Sequence, residues 1–345
     1  MKKQNYSMID LRSDTVTRPS PEMLQAMIKA EVGDDVFGED ITANKFEEKV
    51  AKMFGLEAGL FVPSGTMSNQ LGIKVLTEAG DEILIEKNGH VFNYESGGAS
   101  YLSGVQIHPI IGKNGKLTVD LLKDMVRGNY DWEPRTTVLC LENSTNKGGG
   151  ACYTKEELRA LKALADEQKL AVHLDGARIW NAITATGIEP EFFGEIADTI
   201  SVCFSKGLGA PIGSMLLSSK EKIKKARRFR KMWGGGMRQV GLLAAAADYA
   251  IENNWALLKE DHRRAKEVAG VISECNNLSV ELDSVKTNIL LFDTQAENAA
   301  SALSKLEKEG VLMTQFGPKT IRATFHLQIG DEETEKVKEI LKKLF

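Results

Sequence analysis

The chain has 345 residues, and 44 Lys and Arg against 48 Asp and Glu leave a formal net charge of −4. That balance argues against nucleic acid as a partner, because proteins that bind it usually carry excess basic charge. Hydrophobic residues make up 42% and charged residues 27%, and no run approaches the ~20 apolar residues that span a bilayer.

This length suits one large domain with a smaller one. The opening "MKKQNYSMID" is basic but has no apolar stretch behind it, so no secretory signal is read there. Cys140, Cys152, Cys203 and Cys275 form no CxxC pair and no metal-ligand cluster. They point to a reduced, cytoplasmic protein without a metal site.

In chain order, "PEMLQAMIKA" and "ANKFEEKVAKMFG" place apolar residues at helical spacing. "AGLFVPSG" reads as a strand ending in a turn, and "TMSNQLGIKVLTEAG" as a helix. Then come the strands "DEILIEK" and "TTVLCLEN", the helix "TKEELRALKALADEQ" and the strand "LAVHLD". "TISVCFS" and "GSMLLSS" follow as buried strands. Strands separated by helices predict an α/β fold with a mostly parallel sheet covered on both faces. "KEKIKKARRFRKMW" puts Ile223, Ala226, Phe229 and Trp233 on one stripe, which reads as a solvated amphipathic helix rather than an RNA-binding segment.

From about 240 to 275 the pattern is long and helical. Beyond it, "NILLFDT", "KTIRATFHLQI" and the terminal helix "DEETEKVKEILKKLF", with Val337, Ile340, Leu341 and Leu344 on one face, suggest a small α/β domain. The expected division is an arm over residues 1–30, a large domain over 31–250 and a small domain over 251–345.

Three pieces carry chemistry. "SKGLGAPIGS" sets Lys206 at a strand end and follows it with small residues. Its glycines do not fit the dinucleotide fingerprint, and a proline interrupts the would-be helix start. "VPSGTMSNQ" puts Ser64, Gly65 and Thr66 where a strand gives way to a helix. That is either an ordinary N-cap or an anion cradle made by helix-terminal N–H groups. "HLDGAR" closes a buried strand with Asp175 and adds Arg178 three residues later. Alone, Asp175 could cap a turn and Arg178 could make a surface salt bridge. An amine, an anion cradle and a buried acid are together what pyridoxal 5′-phosphate requires. The lysine carries its aldehyde, the helix start its phosphate, and the acid its protonated ring nitrogen.

The segments "DLRSDTVTRPSPEM", "GDDVFGED", "SGTMSNQ", "HLDGAR", "SKGLGAPIGS" and "WGGGMRQ" resemble those of the low-specificity L-threonine aldolases. These are β-eliminating lyases of the aspartate-aminotransferase-like, type I pyridoxal-phosphate fold. The resemblance implies a seven-stranded-type sheet flanked by helices. It also implies cleavage of β-hydroxy-α-amino acids to glycine and an aldehyde, in a cytoplasmic homotetramer whose sites are shared between subunits. It makes Lys206 the imine lysine and Asp175 the partner of the ring nitrogen. Ser64, Gly65, Thr66 and Ser205 become phosphate contacts, joined by Arg238 of a neighbouring subunit, and His90 stacks on the ring. Ser13, Arg178 and Arg322 hold the substrate carboxylate. Arg322 also stands on the polar face of an alternating strand, with Thr320, Thr324 and His326. Where the family usually has a histidine near the β-hydroxyl, "LENSTNKGGG" offers Thr145, which can hydrogen-bond the hydroxyl but cannot take its proton near neutral pH. Alternatives on the same scaffold are a β-eliminating lyase that releases ammonia, an aminotransferase, and a cofactor-binding protein without turnover.

Overall fold

A computed structural model describes residues 8–128 and 130–345. After a short β1 (Ile9–Asp10) come β2 (Ala58–Val62), β3 (Glu82–Glu86), β4 (Gln106–Ile110), β5 (Thr136–Glu142), β6 (Ala171–Gly176), β7 (Thr199–Cys203) and β8 (Ser214–Ser218). Strands β2 to β8 form one sheet in the spatial order β2-β8-β7-β6-β5-β3-β4. Only β8 opposes the rest: it pairs antiparallel with both β2 and β7, so β2 through β7 all point the same way. Six strand ends therefore meet along one edge, where open α/β sheets gather their ligands.

The central strands β7 and β8 are buried along their whole length, as expected where helices cover both faces. Strand β4 escapes a reading by pattern. It lies on the sheet edge, is partly exposed and contains Pro109, a residue tolerated where no ladder hydrogen bond is needed on the outer side.

The small sheet runs β12 (Thr314–Gln315), β13 (Thr320–Thr324), β10 (Ile289–Thr294), β9 (Leu278–Ser279), all antiparallel, while β1 pairs in parallel with β11 (Val311–Leu312). Its core joins Phe292, Ile321 and Ala323 to Val268, Val337 and Leu341 of two helices. Ile340 and Leu344, on the same stripe of the terminal helix, are only partly buried.

The N-terminal segment is divided between the two cores. Ile9 and Leu11 pack in the small one and Met23 in the large one. Likewise the helix Gly241–Asn254 runs through the expected boundary at 250 and buries Ala244, Ala247, Ala250 and Ile251 in the large core. A 3-10 turn, Trp255–Leu257, then leads into the helix Leu258–Glu274, which reaches the small core. On the basic helix Lys220–Met232, Ile223 and Ala226 pack as anticipated, with Phe229 and Trp233 partly buried beside them. Arg230 departs from that pattern. It is buried, donating to the Phe61 carbonyl at 2.7 Å and pairing with Asp35, because the aspartate supplies the charge partner that a buried arginine requires. Among the described residues no helix is long and apolar enough to cross a membrane.

Candidate active site

The site is built on the shared strand edge. Register brings its ends together: Val62 and Cys203 both pair with Ser214, and Asp175 pairs with Ser201. Lys206 leaves the end of β7 in a turn closed by Gly209 N–H donating to its carbonyl at 2.8 Å, and the Thr17 hydroxyl donates to the same carbonyl at 3.1 Å. Its Nζ donates to Cys203 Sγ at 3.3 Å.

Opposite it, the helix Gly65–Leu76 starts with Ser64 as its cap, the Ser64 hydroxyl accepting from Met67 N–H. In a helix the N–H groups of Gly65 and Thr66 have no partner within the helix, and they face outward with the positive end of the dipole. Gly65 has a second reason to be glycine. A Cβ there would meet Cys203 Sγ at 2.6 Å and come within 3.9 Å of Lys206 Nζ. The bare backbone thus lets the start of this helix and the amine approach. Ser205, half-buried, precedes the lysine.

Asp175 is the penultimate residue of β6, buried, with its carboxylate accepting from Asn69 Nδ2 at 2.9 Å and Ala177 N–H at 3.0 Å. Asn69 also donates to Glu95 at 2.8 Å, and Gln70 donates to the same carboxylate at 2.6 Å. Glu95 in turn pairs with His90 Nδ1 at 3.0 Å. Burial pulls the His90 ring toward neutrality. The Glu95 hydrogen bond and the charges of Asp175, Glu95 and Glu142 outweigh that, so its pKa is raised. His173, on β6, has the reverse balance: burial lowers it to about 4 against the pull of Asp175, leaving a neutral ring bonded to Thr199 and Asn69.

Glu142, at the end of β5, accepts from His90 N–H and Asn146 N–H, each at 2.7 Å. Desolvation and the nearby Asp175 charge nevertheless push its pKa up to about 7. It ties the histidine loop to the loop that carries Asn146.

The far end of the site draws on both cores. Arg178 grips Asp14 bidentately, Nε to Oδ2 at 2.8 Å and Nη2 to Oδ1 at 2.7 Å, and both are buried. Burial alone would raise the Asp14 pKa. The Arg178 charge and hydrogen bond, with Lys206 and Asn288, bring it down to about 2. Asn288 Nδ2 donates to Asp14 at 3.1 Å.

Arg322 donates to Asn146 Oδ1 at 2.7 Å and to the Arg12 carbonyl at 2.8 Å, with its guanidinium 4.4 Å from the Phe316 ring centroid. Its Nε is buried without a hydrogen-bond partner among the described residues, and burial with the Arg178 charge lowers its pKa to about 10. Neither of its polar partners is a carboxylate. Ser13 caps the turn that begins at Asp14, accepting from Thr15 N–H at 3.2 Å.

The structure thus brings Lys206, Gly65, Asp175 and His90 to one edge, and Arg178 and Arg322 to the junction beside it. Thr145 is placed differently. It is buried, its hydroxyl donates to the Asn114 carbonyl at 3.0 Å, and Gly115 and Gly148 leave no room around it. Arg238 is exposed and pairs with Asp34 at 2.8 Å. Sequence reasoning missed Asp14, Asn69, Glu95, Glu142, Asn146 and Asn288. Asp14, Asn69, Glu142 and Asn146 lie inside segments already singled out, but nothing local shows which partners each will meet. In "GDDVFGED", Asp35 and Asp40 serve the scaffold: Asp40 caps one helix and accepts from Gly241 N–H at 2.8 Å at the start of another.

Residues 10–295 match the family model described as beta-eliminating lyase. The chain is 40% identical to the low specificity L-threonine aldolase of Escherichia coli K12, covering 96% of this chain and 97% of that one. It is also 40% identical to the low-specificity L-threonine aldolase 1 of Arabidopsis thaliana, covering 93% and 92%. A solved Leishmania major threonine aldolase superposes with a TM-score of 0.85 at 19% identity, covering 97% of this chain and 99% of that one.

Proposed function

This chain belongs to the beta-eliminating lyase family, and from that premise we propose that it is a pyridoxal-phosphate-dependent lyase cleaving L-threonine and L-allo-threonine to glycine and acetaldehyde. The observation that carries the reading is the meeting, on one strand edge, of the Lys206 amine, the Gly65–Thr66 cradle and the buried Asp175. Its residues fit the cofactor. A side chain at 65 would fill the gap beside the amine, and Asp175 presents a carboxylate, held by Asn69 and Ala177 N–H, that suits a protonated ring nitrogen. When bound, the cofactor supplies an electron sink for the pair released as the Cα–Cβ bond breaks.

The chain's own residues do the rest. Lys206 would hold the aldehyde carbon, and Ser64, Gly65, Thr66 and Ser205 would hold the phosphate, joined by Arg238 of a neighbouring subunit. Arg178, fixed on one edge by Asp14, keeps donors for the substrate α-carboxylate, as do Arg322 and Ser13. Arg322 suits that role because, among the described residues, its cation has only neutral partners. Two-point binding orients the breaking bond and excludes competing geometries.

Thr145 spends its hydroxyl on Asn114 and shapes the turn leading to Asn146. Removal of the β-hydroxyl proton falls to His90. Glu95 holds the proton on Nδ1, which leaves Nε2 as the basic atom, in the way a carboxylate orients a catalytic imidazole. We further infer a cytoplasmic homotetramer. Its four cysteines are free, and Ile28, Phe37 and Met232 are exposed apolar side chains suited to subunit contacts. Sedimentation measures the assembly.

The test is an assay of purified protein loaded with pyridoxal phosphate on L-threonine, L-allo-threonine and phenylserine. Glycine and the matching aldehyde are expected; ammonia with a keto acid would mark β-elimination instead. His90→Ala should lower the maximal rate by about 10²–10⁴-fold. Glu95→Gln should move the acid limb of the rate profile to lower pH, because the carboxylate that raises the ring's pKa is gone.

A further inference from the structure

Among the described residues, Arg322, Lys206 and Lys147 are cations of the site without a carboxylate partner, and Lys206 is reserved for the cofactor. Asp14 is committed to Arg178, Glu95 to His90, Asn69 and Gln70, and Glu142 to two backbone N–H groups. Arg322 awaits the substrate α-carboxylate. That leaves Lys147, half-buried, with which no carboxylate pairs among the described residues. Its ammonium lies 5.6 Å from the Tyr94 ring centroid and 5.9 Å from that of Phe316, the ring on which Arg322 also stacks. Tyr94 in turn lies against His90, centroids 5.5 Å apart.

His90, Tyr94, Lys147, Phe316 and Arg322 therefore form one continuous wall, running from the residue assigned to the cofactor ring to the one assigned to the α-carboxylate. A substrate spanning these two ends turns its third substituent, the one on Cβ, along this wall. Two aromatic faces hold the lysine in place while offering it no countercharge. A simple hydroxy amino acid brings one carboxylate, which Arg322 and Arg178 take.

We propose that Lys147 is a specificity-determining residue that receives an anionic β-substituent, so that β-hydroxy-α-amino acids bearing a second carboxylate are substrates. This rests on the reading of the site given above. For β-hydroxyaspartate the balance is simple. The β-hydroxyl loses its proton, the Cα–Cβ bond breaks, Cβ leaves as the aldehyde of glyoxylate, and Cα gains a proton to give glycine. Lys147 pairs with the carboxylate that stays on the aldehyde fragment.

The experiment compares the loaded full chain with Lys147→Gln and Lys147→Arg, using kcat/KM on L-threonine and on β-hydroxyaspartate. Calorimetric Kd values for L-alanine and L-aspartate, which differ by the same carboxylate, form a second arm. Gln should lower kcat/KM for β-hydroxyaspartate and weaken aspartate binding by about tenfold each, leaving threonine and alanine within about twofold. Arg should restore both, and added salt should narrow the difference. Equal losses on charged and uncharged partners, or none on either, overturn the proposal. If wild type fails to cleave threonine, the functional reading falls, while the aspartate-to-alanine binding ratio still decides the role of Lys147.

Discussion

The two ends of the site are made in different ways. At the strand edge, Lys206, Asp175 and Gly65 each follow or lie at the end of a strand of the large sheet, so hydrogen-bonded register alone places them. At the junction, Asp14 comes from the N-terminal segment, Arg178 from the large sheet, and Asn288 and Arg322 from the small one; 164 residues separate the paired Asp14 and Arg178. The first end is positioned by backbone, the second by side chains that exchange charge across a packing boundary. The backbone-built end should therefore lose chemistry without losing stability when altered. The junction should lose both.

Lys206→Ala gives the sharpest contrast. Aldehyde release from threonine should fall on the order of 10⁴-fold or more, and borohydride should no longer fix the cofactor to the chain. Unfolding in denaturant should shift by less than about 1 kcal/mol; a larger shift would mean that this end, too, depends on side-chain contacts.

Next in size is Asp14→Asn, which strands the buried Arg178 without its countercharge. Breaking one partner of such a pair costs about 3–5 kcal/mol, read as a lower denaturant midpoint. A near-native midpoint would show that the junction is not held by this pair.

Arg322→Ala should cost about 1.5–3 kcal/mol of substrate interaction. The loss should appear with amino-acid substrates and be absent with amines that lack a carboxylate. Equal losses on both would assign Arg322 to packing on Phe316 rather than to recognition.

The smallest effect is the pH dependence of the junction. Asp14 titrates at about 2 in the folded chain against an ordinary 3.8. A depressed acid contributes stability that is present above its unfolded value and lost as pH falls through its folded one. About 2 kcal/mol should therefore disappear between roughly pH 4 and pH 2. Asp14→Asn should flatten that part of the stability curve, and a slope unchanged by the substitution would place the titration elsewhere.

Much of the molecule was legible from its residues. Short apolar runs and period-3.6 patterns located the interior strands and the long helices, and Lys206, Asp175 and the Ser64–Thr66 turn could be named because each chemical group adjoins a strand end in the chain itself. β4 stayed hidden because an edge strand needs neither an apolar run nor every N–H, and Pro109 removes one. Arg230 looked like one more charge on a wet helix, since only Asp35, reached through folding, makes its burial tolerable.

The sequence by itself determined the mostly parallel α/β plan, the interior strands and the identity of the groups at their ends, because those follow from local apolar runs and from what each strand end carries. Tertiary structure alone decided which charges are spent. It paired Asp14 with Arg178, left Arg322 with neutral partners, turned the Thr145 hydroxyl toward Asn114 and set Lys147 between two rings, with no carboxylate paired to it among the described residues. Those outcomes depend on desolvation and on distances of a few ångströms between residues remote in the chain, and neither exists until the two cores have packed.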